Sequence, residues 1–115
     1  GAAHETGLGN VVNAPLPAGA DGRVWRAAME RAVLPALEAF APALILVSAG
    51  FDAHRADPLA QMGLEAEDFA WAGRKLRAVA RACCGGKLVS TLEGGYDLPA
   101  LAGSAAAYLA ALQRD

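Results

Sequence analysis

An unbroken apolar run, ALILVS at residues 43–48, is bounded by Pro42 on one side and Gly50 on the other, and it opens into the polar stretch FDAHRADPL. A run this short, rich in Ile, Leu and Val and cut off by breakers at both ends, predicts a strand buried on both faces of a parallel sheet. In open parallel sheets the crevice that holds ligands lies beyond the carboxyl ends of the strands. Asp52, His54 and Asp57 follow the strand directly, which makes them candidate site residues. The same residue types are ordinary in loops, where they cap helices and start turns, and spacing alone does not separate the two readings.

The remaining periodicities place this strand in a β/α/β repeat. Over residues 23–40, Trp25, Ala28, Met29, Ala32, Ala36 and Phe40 recur at the spacing of one helix face. Asp21 stands ready as its N-cap. Pro35 removes a backbone donor from the interior and predicts a kink or broken turn near residues 31–34, and Pro42 ends the helix by restricting Ala41. Residues 65–83 carry acidic groups at the start, basic groups toward the end and an inward stripe of Phe69, Ala72, Leu76, Val79 and Ala80, a polarity that complements the helix dipole. Gly85 and Gly86 stop that helix, and KLVSTL at 87–92 is the next strand. It runs straight into EGGYD, so a second polar loop leaves a second strand end. A right-handed crossover puts both ends on one edge of the sheet, and Asp52 and Tyr96 are therefore expected to face the same crevice. Asp97 is the expected N-cap of a final helix carrying Leu98, Leu101, Ala105, Tyr108, Leu109 and Leu112.

The first nineteen residues read as a glycine-rich polar loop in which Val11 and Val12 start a short strand that Pro15 and Pro17 end. Gly7 and Gly9 do not make a dinucleotide fingerprint, which needs a strand before the glycines and a helix after them. His4 and Glu5 read as exposed loop residues. The chain is 55% hydrophobic and 19% charged, which suits an α/β core and argues against disorder. A net charge of −2 without like-charge blocks gives no reason to expect nucleic acid or an anionic membrane as partner. No apolar run is long enough to span a bilayer, and the expectation is a soluble, cytoplasmic protein of undetermined oligomeric state. Cys83 and Cys84 read as small buried or half-buried thiols in a reducing compartment, since neighbours rarely form a relaxed disulfide and two ligands do not make a zinc site. The arginines between residues 74 and 81 read as a solvated helix face.

SAGFDAHRADPL and LEGGYD, in that order and separated by a helix of fitting length, resemble the histone deacetylase superfamily, which also contains acetylpolyamine amidohydrolases and acetoin-utilisation-type proteins. NAPLPAG, LEAFAPALILVS and the last Ala/Leu-rich helix extend the resemblance over essentially the whole chain, on the side of the class II and bacterial branches. It implies the C-terminal part of a three-layer α/β domain, with helices flanking a parallel sheet, from a zinc-dependent amidohydrolase acting on acetyl-lysine or on an acetylated small amine. Asp52 is then the last of three protein ligands to Zn2+, and Tyr96 is the hydroxyl that stabilises the tetrahedral oxyanion. Gly94 and Gly95 would shape the floor of an acyl-lysine tunnel. K+ is implied too, at positions the sequence does not place. Asp52-Ala53-His54 imitates the Asp-x-His pair that supplies the other two zinc ligands of the family, but its flanks match the third-ligand loop, leaving His54 at the rim and Asp57 as a loop brace. The tandem His-His pair and the Asp-x-His pair of the family are not in these 115 residues, so the expectation is a C-terminal segment that is inactive by itself. The competing readings are a non-catalytic interaction module of the same fold and a doubly wound small-ligand-binding domain.

Overall fold

The computed structural model describes residues 1–114. Helix α1 (Gly22–Ala28) starts where expected, with the Asp21 side chain accepting the Val24 N–H at 3.0 Å. A π-helical segment, Met29–Val33, follows, and α2 (Leu34–Phe40) carries Pro35 in its first turn. The broken turn expected near residues 31–34 is this segment: the Leu34 N–H reaches back five residues to the Met29 carbonyl. Widening the helix by one residue accommodates a ring that has no N–H to give. Ala41 closes α2 in the left-handed region at φ 52°, and Pro42 prevents any continuation.

Strands β1 (Ile45–Ala49) and β2 (Leu88–Leu92) pair in parallel, with Ile45 opposite Leu88 and Ala49 opposite Leu92. The crossover between them is α3 (Ala66–Cys84), and α4 (Leu98–Gln113) packs along α3. Glu65 and Asp68 form a reciprocal capping box at the start of α3, and Gly85, at φ 64°, ends it. Gly73 lets α4 come close, since a Cβ there would stand 3.2 Å from the Tyr108 carbonyl oxygen.

Two apolar clusters lie on the helix-covered side of the strand pair. Leu34, Ile45, Val79, Ala80 and Cys84 form one, and Phe51, Leu64, Phe69 and Tyr108 form the other. Phe51 meets Phe69 and Tyr108 edge to face, at centroid distances of 5.1 and 5.9 Å. The buried Tyr108 hydroxyl finds Ser90 Oγ at 2.7 Å, as a buried phenol requires.

Two expectations need correction. Strand β1 is not buried on both faces: Ile45 is 5% exposed but Leu46 is 73% exposed. Among the described residues the helices pack only on the face that carries Ile45, and side chains of a strand alternate between faces. Val11 and Val12 form no strand; the segment is held as a loop by Asn13, whose Nδ2 donates to the carbonyls of Ala2 and Glu5, each at 3.1 Å. Among the described residues no helix is long and apolar enough to cross a membrane. Cys83 is half-buried and Cys84 buried, both free. Arg74 pairs with Glu67 on the exposed side of α3.

Candidate active site

The parallel register does not stop with the strands. Beyond the Ala49–Leu92 pair, the Glu93 N–H donates to the Ala49 carbonyl at 2.9 Å, and the Phe51 N–H donates to the Gly94 carbonyl at 2.8 Å. Each strand-end loop is thus stitched to the other at its root. Phe51 anchors this seam by burying its ring in the core, 4% exposed, and so turns the next residue, Asp52, away from the core.

The half-buried Asp52 carboxylate lies against Gly94. A Cβ on Gly94 would come within 2.8 Å of Asp52 Cγ, so only glycine admits the carboxylate there. Gly95 has φ 145°, a conformation L side chains rarely adopt, and Leu101 of α4 occupies the space its side chain would take. Tyr96 follows and is 58% exposed. The structure therefore brings Asp52 and Gly94 into contact and sets Tyr96 two residues further along the same loop.

Asp57 joins the two loops a second time. It is only 7% exposed; its Oδ1 accepts the Leu59 N–H at 3.0 Å within its own loop, and its Oδ2 accepts the Tyr96 N–H of the other loop at 2.8 Å. Burial raises the pKa of this carboxyl, but hydrogen bonds from the backbone of Leu59, Tyr96 and Asp97, helped by the proximity of His54, outweigh it and hold the group below the usual carboxylate range. The Tyr96 partner of Asp57 is invisible in the sequence, because a contact between loops separated by a whole crossover helix leaves no local signal. The neighbouring Pro58 and the Asp-x-Leu spacing signal only the turn.

His54 serves its own loop. Its Nδ1 accepts the Ala56 N–H at 3.0 Å, its Nε2 stands 3.9 Å from Glu65 Oε2, and its backbone bridges to Leu64. His4 lies in the exposed N-terminal loop. Among the described residues no three His, Cys, Asp or Glu side chains converge as a metal cage. A zinc ion at a catalytic centre takes three protein ligands and keeps one open position. Asp52 suits one of those donor positions, being a half-buried carboxylate set against Gly94 at the sheet edge, and the described residues do not bring three such donors together.

A parallel strand pair with a helical crossover, whose two strand-end loops are joined by backbone hydrogen bonds and by Asp57, defines an α/β domain with its candidate site at the carboxyl edge of the sheet. Residues 1–112 match the histone deacetylase domain family, and the chain belongs to that family. It is 42% identical over 110 residues to histone deacetylase 10, chloroplastic, of Oryza sativa subsp. japonica, an alignment covering 92% of this chain and 25% of that protein. It is 45% identical over 93 residues to the histone deacetylase-like amidohydrolase of Pseudomonas aeruginosa, covering 81% of this chain and 24% of the relative. The solved structure of the histone deacetylase Clr3 superposes with a TM-score of 0.83 at 34% identity, over 92% of this chain and 17% of that one. The α/β fold is thus the deacetylase fold, and the chain spans about a quarter of the length of these two curated relatives.

Proposed function

We propose that this chain is the C-terminal part of a zinc-dependent deacetylase domain that hydrolyses the amide of acetyl-lysine or of an acetylated small amine. One observation carries the reading: the two strand-end loops are stitched so that the Asp52 carboxylate rests on Gly94, two residues before Tyr96. Asp52 would hold the metal as one of its ligands. When bound, zinc supplies Lewis-acid polarisation of a carbonyl and a lowered pKa for water. Tyr96 donates its hydroxyl hydrogen bond to the substrate carbonyl oxygen, and the bond strengthens as negative charge develops there. A donor of this kind is commonly worth about 3–4 kcal/mol. Gly94 and Gly95 present bare backbone beside the acyl group, and the first of them also makes the room that Asp52 needs. The named deacetylase and amidohydrolase relatives support the reaction class; the amine and acyl specificity belongs to rim residues that these loops do not supply. With one metal donor and no His-His pair, the 115 residues alone are not expected to turn over substrate.

The test uses the full-length protein and an acetyl-lysine peptide. Tyr96→Phe lowers kcat about a hundredfold or more, with KM changed little, because the lost interaction is made in the transition state. Asp52→Ala loses bound zinc as read by elemental analysis. Wild-type kcat in the first variant, or full metal content in the second, refutes the respective role.

A further inference from the structure

We infer that Asp57 is the positioning residue of the site, holding Tyr96 in register by clamping the backbone on which its hydroxyl is carried. The inference rests on the proposed role of Tyr96. Tyr96 sits between two unequal constraints. Before it, Gly95 at φ 145° is a residue whose backbone moves freely. After it, Asp97 is already committed to the start of α4, its side chain accepting the Ala100 N–H at 3.0 Å. The Tyr96 side chain is 58% exposed, so packing does little to aim it. What fixes the peptide between the free glycine and the helix is the bond from the Tyr96 N–H to Asp57 Oδ2 at 2.8 Å. Asp57 is itself immobilised, 7% exposed, with Oδ1 taken by the Leu59 N–H. The carboxylate thereby uses one oxygen on each loop, and it ties the Tyr96 loop to the loop that carries Asp52. Misplacement of a reacting group by about 1 Å costs on the order of a hundredfold in rate, so a clamp of this kind acts on turnover rather than on substrate capture.

An Asn at this position keeps the shape but has only one accepting atom, and it therefore serves one loop and releases the other. In the full-length protein with a zinc-loaded site, Asp57→Asn is expected to lower kcat about ten- to a hundredfold, leaving KM within about twofold and zinc content unchanged. In a Tyr96→Phe background the same substitution is expected to change kcat less than about twofold, because a residue that acts through the hydroxyl has nothing left to position. Wild-type kcat in Asp57→Asn, or a loss that adds in full to that of Tyr96→Phe, overturns the inference while leaving the role of Tyr96 intact. Wild-type kcat in Tyr96→Phe overturns the proposed function itself. If Asp57→Asn shows no cooperative melt, Asp57→Glu takes its place in the same cycle with the same readings. If neither variant folds, Asp57 is a residue of the fold, and the positioning role is wrong.

Discussion

Asp57 is charged, nearly buried and served by backbone donors from both loops, so the stability of the loop pair depends on its ionisation. Its folded pKa lies below the ordinary 3.8 because the donors outweigh the burial that pushes it up. A depressed carboxylate stabilises the fold above its unfolded pKa, and that contribution disappears as pH falls through the folded value. Wild type is therefore expected to melt higher than Asp57→Asn at neutral pH, with the gap closing as pH is lowered below 3.8. A gap that stays constant to pH 2, about two units below the reference carboxylate range, would show that the charge is not what the loops use. At this scale the sequence places Asp52 in one strand-end loop and Gly94, Gly95 and Tyr96 in the other, because each loop follows a short apolar strand. The partner of Asp57 is not legible in this way, since its hydrogen bond spans two loops with no shared periodicity. Phe51 likewise carries no local signal: as a lone aromatic in a polar stretch it reads as loop, yet it is one of the buried rings that join the loop to the core.

At the scale of elements, the contact between α1 and the start of α3 is built on Gly22. A Cβ at Gly22 would overlap the Asp68 carboxylate, which is 6% exposed and occupied on both oxygens, by Arg26 Nε at 2.7 Å and by the Glu65 N–H at 2.8 Å. Alanine improves helix propensity by up to about 1 kcal/mol. Pushing a buried, doubly bonded carboxylate off its partners costs more, roughly 2 kcal/mol or above. Gly22→Ala is thus expected to lower the denaturant midpoint, and an unchanged or raised midpoint would contradict the close approach. Helix polarity by itself marks Asp68 only as one of the acidic groups at the start of α3. Its larger role, in a capping box and an ion pair to a different helix, depends on where α1 is docked. Pro35 was more informative: a missing donor must show itself locally, and it did so as the π-helical segment Met29–Val33.

For the whole molecule, the strand pair has one covered and one open face. Leu46 is 73% and Val89 57% exposed, side by side on the paired strands. Neighbouring apolar side chains on an open sheet face, next to unpaired strand edges, favour association. The 115-residue chain expressed alone is expected to self-associate with increasing concentration in sedimentation, and Leu46→Lys with Val89→Lys to reduce it. A wild-type chain that stays monomeric at high concentration would favour the non-catalytic module reading. The sequence by itself determined the order of elements, the parallel crossover, the broken turn at Pro35, the caps at Asp21 and Asp97, and the two loops at one sheet edge. All of these follow from periodicity, proline and glycine chemistry, and the handedness of a β/α/β unit, which act over a few residues or one crossover. Only the tertiary structure decided which face of the strands is covered, that Gly94 yields its space to Asp52, and that Asp57 reaches Tyr96. Those depend on where whole elements come to rest against one another, a balance of packing summed over the chain that no short stretch of it encodes.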